Sequence, residues 1–243
     1  MRQRLLLSLV ALWLYQSAPG QTPKSDSLFV QAAKKQAVNQ YEQAFSRQEH
    51  VYEGNEYIAH DHRIKIHPFY PTDSLLAGTI TYNDVHYHDV PMLYDIERQE
   101  VAVQPPEGGY RIRLHTNKIS NFSLGQHRFI RLTNDSTSGI VAGFYELLHD
   151  GRSAQVLAQR VKTIHEDISS GTYNADYLPK DRFFIRRDSL YHEVKTKRSV
   201  LTLFPDQAKA LRKYLRANHL KFNDEQREMS ITRAVKQYEE LTH

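Results

Sequence analysis

Cysteine is absent from all 243 residues. That excludes disulfides, thiolate metal sites, a thiol nucleophile and the acylated N-terminal cysteine of bacterial lipoproteins. Tryptophan is nearly absent, because the single one, Trp13, lies in an apolar stretch at the N-terminus. The remainder of the chain therefore cannot stack a sugar on an indole face. Glycine-rich phosphate loops are lacking as well. Gly108-Gly109 closes a Pro-Pro-Glu-Gly-Gly turn instead of opening a helix. No G-x-S-x-G elbow occurs, which removes the common serine-hydrolase signature. Ser136-Thr137-Ser138-Gly139 and Ser169-Ser170-Gly171 come nearest, and both read as loops. After the N-terminal stretch no apolar run approaches the roughly 20 residues that a membrane-spanning helix needs.

That N-terminal stretch has the layout of a secretory signal. Arg2 and Arg4 precede the uncharged core Leu5 to Tyr15, and small residues at Ala18 and Gly20 suit a cleavage pocket. Residues 1–20 are expected to be a signal peptide cut after Gly20, which makes the chain exported, periplasmic or extracellular. Residues 21–243 are expected to be a single mature domain. With no disulfide available, such a domain must be held by its own core.

Acidic charge is scarce in one region. The whole chain is formally +4, yet residues 180–221 hold 12 Lys or Arg against 4 Asp or Glu. A basic segment of this kind suits peripheral contact with anionic lipid, and it also suits solvated faces of strands and helices. No nucleic-acid-binding motif is visible, so nucleic acid is not expected as a partner.

The periodicity changes twice along the chain. Val30, Ala33, Ala37, Val38, Tyr41 and Phe45 recur at helical spacing, which predicts a helix over residues 26–46. Residues 51–196 read as a β-rich body of short strands with close turns. Asn83-Asp84, Asp150-Gly151 and Asp188-Ser189 supply hairpin turns. Pro91 cannot donate to a ladder and is expected at an edge or a bulge. Residues 154–164 read as one strand. Residues 205–241 read as a helical hairpin, with Pro205 opening it, Asn218 as its stop, and Ile231, Ala234, Val235, Tyr238 and Leu241 as one apolar stripe. The fold class is therefore α+β, an antiparallel β-meander between an N-terminal helix and a C-terminal helical hairpin. The pattern alone leaves open whether the meander closes into a barrel.

Four stretches carry a resemblance: Tyr52-Glu53-Gly54-Asn55-Glu56-Tyr57; His67-Pro68-Phe69; Gly78 to Tyr82 continuing to Val90 through Asp95; and Ser199 to Pro205. In these the chain is similar to a family of uncharacterised exported proteins of Gram-negative bacteria. The resemblance implies export and a β-rich body, and it implies no catalytic residues.

Histidine is the most suggestive side chain. His60 and His62 flank Asp61, and His86 and His88 flank Tyr87. On a strand, residues i and i+2 share a face, so each pair could present two imidazoles to one divalent transition metal such as zinc, copper or iron. The cupin arrangement of glycine, H-x-H and a following glutamate is not met, because Met92 and Leu93 stand where the carboxylate belongs. Glu53, Glu56, Asp61, Asp95, Glu97 and Glu146 are candidate paired carboxylates for glycoside chemistry, and equally surface charges. Tyr52, Tyr57, Tyr70, Tyr82, Tyr87, Tyr94 and Tyr110 suit core edges or a ligand-stacking face.

Three functions follow as expectations. The leading one is an exported, non-enzymatic accessory or binding protein of the bacterial cell envelope, whose partner is an envelope protein or a small apolar ligand. The alternatives are a metal-dependent enzyme using His60, His62, His86 and His88, and a structural envelope protein that meets anionic lipid through residues 180–221.

Overall fold

A computed structural model describes residues 29–37, 48–134, 139–167, 169 and 173–242. The chain divides into two compact units, residues 1–47 and Gln48–His243. In the first, residues 29–37 form helix α1. The rest of the helix expected over 26–46, and the stretch read as a signal peptide, lie outside the described residues.

The second unit is an antiparallel meander. After a 3₁₀ turn at Gln48–Tyr52 come β1 (Asn55–Glu56), β2 (Phe69–Tyr70), β3 (Leu76–Tyr82), β4 (Val85–Asp95), β5 (Glu100–Val103), β6 (Ile112–Arg113), β7 (Ile119–Leu124) and β8 (His127–Leu132). They continue as β9 (Gly143–Asp150), β10 (Ala154–Gln159), β11 (Lys162–Asp167), β12 (Asn174–Pro179), β13 (Arg182–Arg187) and β14 (Leu190–Val194). Three helices follow: α2 (Lys197–Leu203), α3 (Ala208–Ala217) and α4 (Arg227–Thr242). One sheet runs in the order β1-β6-β5-β4-β3-β7-β8-β9-β10-β13-β14, with β2 also on β4. It has two free ends and does not close into a barrel.

The turns behave as their residues dictate. Asn83 and Asp84, and again Asp188 and Ser189, all take positive φ, the geometry of two-residue hairpins that matches strand twist. Pro91 lies inside β4 opposite Ala77, beside a register shift at Gly78/Ile80 and next to Asp89, whose φ is also positive. It was expected at an edge or a bulge, and it lies in register beside the bulge. Gly78 is required there because a Cβ on it would lie 1.9 Å from the carbonyl oxygen of Ser123 on β7.

One expectation needs correction. The strand read over 154–164 breaks at Arg160–Val161. Arg160 turns its guanidinium inward to three carboxylates, and β11 leaves the main sheet to pair with β12 alone. The helical hairpin expected over 205–241 is present as α3 and α4, and a further helix, α2, precedes it. Helix α2 was hidden in a β-branched, strand-like stretch, and Thr196 and Ser199 start it with a reciprocal capping box. Pro205 opens the turn after α2, and α3 begins three residues later at Ala208. Asn218 ends α3 as expected. Ile231, Ala234, Val235 and Tyr238 are buried, whereas Leu241 is exposed.

The core has two main parts. The first is made mostly by strands and packs six aromatic rings among eleven other apolar side chains. Phe122 and Phe129 stack at 4.7 Å, and Tyr94 meets both of them edge-on. The second lies between β10, β13 and the three helices, where Val156, Ala158 and Ile185 meet Val200, Phe204, Leu211, Leu215, Ile231 and Val235. The reverse face of β10 and β13 buries Leu157 and Phe184, together with Tyr145 of β9. Each such large side chain, fully buried, contributes about 1.5–3 kcal/mol.

Candidate functional site

The last residue of β4, Asp95, gathers a network around a carboxylate with 0% of its side chain exposed. Its Oδ1 accepts the backbone N–H of Glu97 and of Arg98, both at 3.0 Å, which forms the turn into β5. Its Oδ2 accepts the Tyr57 hydroxyl at 2.8 Å and bonds His60 Nε2 at 2.5 Å. A carboxylate takes only donors, so in the neutral ring Nε2 carries the hydrogen and Nδ1 accepts from the Tyr177 hydroxyl at 2.5 Å. His60, with 8% of its side chain exposed, comes from the loop between β1 and β2, and Tyr177 comes from β12.

Further bonds hold the same three segments together. Arg98 Nη1 donates to the carbonyl of Ile58 at 2.7 Å, and Lys162 Nζ donates to those of His67 and Phe69 at 2.7 and 3.0 Å. Burial, followed by the Asp95 hydrogen bond and charge, holds the Tyr57 hydroxyl pKa well above its ordinary value. Burial and then the negative charges of Glu97 and Asp95 push Tyr177 up to about 12. Both phenols therefore stay protonated and donate.

A second network surrounds Glu146 on β9. Arg160 Nε donates to Glu146 Oε2 at 2.5 Å, while its Nη1 reaches Asp181 at 2.7 Å and Glu228 at 2.6 Å. The guanidinium also lies 4.9 Å above the centre of the Tyr70 ring. Burial alone would lower the Arg160 pKa. The hydrogen bond to Glu228 and the charge of Glu146 outweigh it and hold the pKa above its ordinary value. The other Glu146 oxygen takes His127 Nδ1 at 2.5 Å, and the Tyr70 hydroxyl donates to Oε2 at 3.2 Å. His127 and Glu146 both border an open cleft of about 500 Å³ whose walls include Pro71, Leu76, Leu124, Leu147 and Leu148. Nε2 of His127 has no hydrogen-bond partner among the described residues.

The four histidines singled out from the sequence do not meet. His86 and His88 share the outer face of β4, with Tyr87 between them turned to the core. Their rings lie edge to face at 4.5 Å, and His86 Nδ1 is 3.0 Å from Thr81 Oγ1. His60 and His62 lie in a loop, not a strand, and they diverge. His60 is buried, while His62 has 95% of its side chain exposed. Asp95, which holds His60, is nine residues along β4 from His86, roughly 30 Å of strand. The four imidazoles therefore cannot share an ion.

What the structure does collect is His60, Asp95 and Glu97, each with one donor atom within 4.8 Å of the others. Nitrogen with two carboxylates suits a divalent ion. Neighbouring ligand atoms around tetrahedral zinc lie about 3.4 Å apart, whereas His60 stands 2.5 Å from Asp95 and 4.0 Å from Glu97. Both ring nitrogens of His60 and both oxygens of Asp95 already have hydrogen-bond partners. Asp95, Glu97 and Glu146 were noted in the sequence only as candidate carboxylates. His127, Arg160 and Tyr177 were missed, since their partners stand 19, 14 and 117 positions away. Tyr110, weighed as a sheet-lining aromatic, is exposed.

Comparison with protein-family models, curated proteins and solved structures returns no match. No helix among the described residues is long and apolar enough to cross a membrane.

Proposed function

We propose that this chain is an exported, non-enzymatic accessory or binding protein of the bacterial cell envelope that works through its outer surface. The observation that carries the reading is the packing. Buried side chains pack against the sheet and beneath the helices, and five surface clefts, of about 390–890 Å³, are open. A small-molecule site that buries most of its ligand is typically enclosed. The signal-like layout of residues 1–20 and the similarity to exported proteins of Gram-negative bacteria support the location. The test is expression in a Gram-negative host followed by fractionation and intact-mass measurement. The expected product begins at Gln21 and is found outside the cytoplasm. A full-length chain retained in the cytoplasm would overturn the reading.

A second reading rests on His60, Asp95 and Glu97, and it takes a divalent transition metal as ligand. Binding would require His60 to exchange a hydrogen-bond partner, Tyr177 at Nδ1 or Asp95 at Nε2, for the ion. Titration calorimetry with zinc separates the outcomes. Stoichiometric binding lost in His60→Ala but kept in His86→Ala supports this site, and no heat in the wild type removes it.

A further inference from the structure

The C-terminal helices carry a concentration of positive charge with no counter-charge of its own. Between Lys195 and Lys221 the chain has eight Lys or Arg and one acidic residue, Asp206. On α3, Lys209, Arg212, Lys213 and Arg216 follow one another at steps of three, one and three. This places them on one helical face, and all four are exposed. Lys197 and Arg198, at the start of α2, join Arg212 around a shallow cleft of about 680 Å³ floored by Leu201, Pro205 and Ala208.

None of these six cations makes an ion pair among the described residues, although cations around them do. Arg182 pairs with Glu193, Arg187 approaches Asp188 and Asp206, and Arg227 holds Asp224. The buried side of α3, Leu211 and Leu215, is committed to the core, so the helix is fixed with its cations outward. Like charges at these spacings repel one another in the isolated helix. A partner that supplies many negative groups over a broad surface removes that repulsion.

We propose that the basic face of α2 and α3 docks on a membrane surface bearing anionic phospholipid headgroups. This rests on the reading of the chain as an envelope protein acting through its surface, and it names the partner. A headgroup layer presents phosphates over an area that matches an exposed helical stripe. The cleft at Lys197, Arg198 and Arg212 adds an apolar floor beneath the charges, which suits one amphiphile with its phosphate among the cations. Membrane attraction of about fivefold in affinity is expected for each cation near an anionic surface, and salt weakens it.

The experiment is co-sedimentation of the full chain with vesicles of phosphatidylcholine alone or of phosphatidylcholine mixed with phosphatidylglycerol, at low and high salt. Binding is expected only to the mixed vesicles, reduced by salt, and at least about 25-fold weaker in the double variant Arg212→Glu/Lys213→Glu. Both positions are exposed, and circular dichroism checks that the variant folds. Lys118→Glu/Arg128→Glu makes the same change of net charge elsewhere on the surface and should lose far less. Equal binding to neutral vesicles, indifference to salt, or an equal loss in the two double variants would each overturn the proposal. So would binding to soluble polyglutamate with no binding to vesicles, which would reassign the face to an acidic protein. A chain that is cleaved and exported yet ignores vesicles sinks this inference alone and leaves the accessory role standing.

Discussion

Two histidine–carboxylate pairs of the same length solve burial in opposite ways. At Asp95 the carboxylate is held by a tyrosine hydroxyl, the His60 ring and two backbone N–H groups, with no Lys or Arg side chain among its hydrogen-bond partners in the described residues. At Glu146 a buried cation, Arg160, does the same work and is itself shared with Asp181 and Glu228. The first pair uses both ring nitrogens and joins the β1–β2 loop, the end of β4 and β12. The second leaves 34% of the His127 side chain exposed and one ring nitrogen directed to no partner. A pair whose every polar atom is satisfied must give up a bond before it can meet a ligand, while a pair with an open nitrogen at a cleft need not.

If that contrast is sound, removing the cation is the most damaging single change. Arg160→Met keeps an apolar stem but leaves Glu146 buried without its counter-charge, and it frees Asp181 and Glu228 to repel. Breaking one partner out of such a buried set costs about 3–5 kcal/mol, read as a shift in the urea midpoint at unchanged slope. A loss below about 1 kcal/mol would mean that water reaches Glu146 and that the two networks do not differ in kind.

Asp95→Ala comes next. It removes no net buried cation, but it strips the acceptor from the Tyr57 hydroxyl, His60 Nε2 and the two turn amides. Loss of about 2–4 kcal/mol is expected, from buried donors left without partners. Proteolysis should then open the loop of residues 57–68 before the strands. Cleavage that begins in the strands instead would break the assignment of this network to holding the loop.

The sequence showed the meander, most of the strands and the turn chemistry because these are local. Asn83-Asp84 and Asp188-Ser189 announce their hairpins without help from the rest of the chain. The networks were not visible in that way. Asp95 reads as the polar end of an apolar strand, and nothing near it in sequence names Tyr177, 82 positions on. Arg160 hid a strand break, because a single arginine between Gln159 and Val161 does not disturb alternation. Helix α2 was lost for a related reason. Val200 and Thr202 favour strand by propensity, and the Thr196–Ser199 cap and burial of Val200 and Leu201 in the cluster shared with α4 and β13 decide otherwise. The H-x-H pairs show how a pattern depends on its backbone. His86 and His88 keep the same-face relation because β4 is a strand, and His60 and His62 lose it because their segment is a loop.

A third pair, His149 with Glu239, has the most exposed carboxylate of the three, 16% against 0% and 5%, and should show the smallest effect. Glu239 reaches from α4 to the β9–β10 turn. Burial raises its pKa, but hydrogen bonds from the N–H groups of Ser153 and Ala154, with His149, outweigh this and hold it below the ordinary carboxylate range. Gly151 makes room, since a Cβ there would lie 2.1 Å from the Glu239 carboxylate. A carboxyl whose folded pKa is depressed adds stability above its unfolded value, near 4.3, and loses it as the pH falls through the folded value. Glu239→Gln should therefore cost about 1–2 kcal/mol at neutral pH. Its unfolding free energy should converge on that of the wild type as acid protonates Glu239 in both the folded and unfolded chains. Denaturation measured from neutral pH down to about pH 3 tests this. A gap between variant and wild type that stays constant over that range would show that the charge of Glu239 stabilises nothing and that its carboxyl serves only as a neutral acceptor.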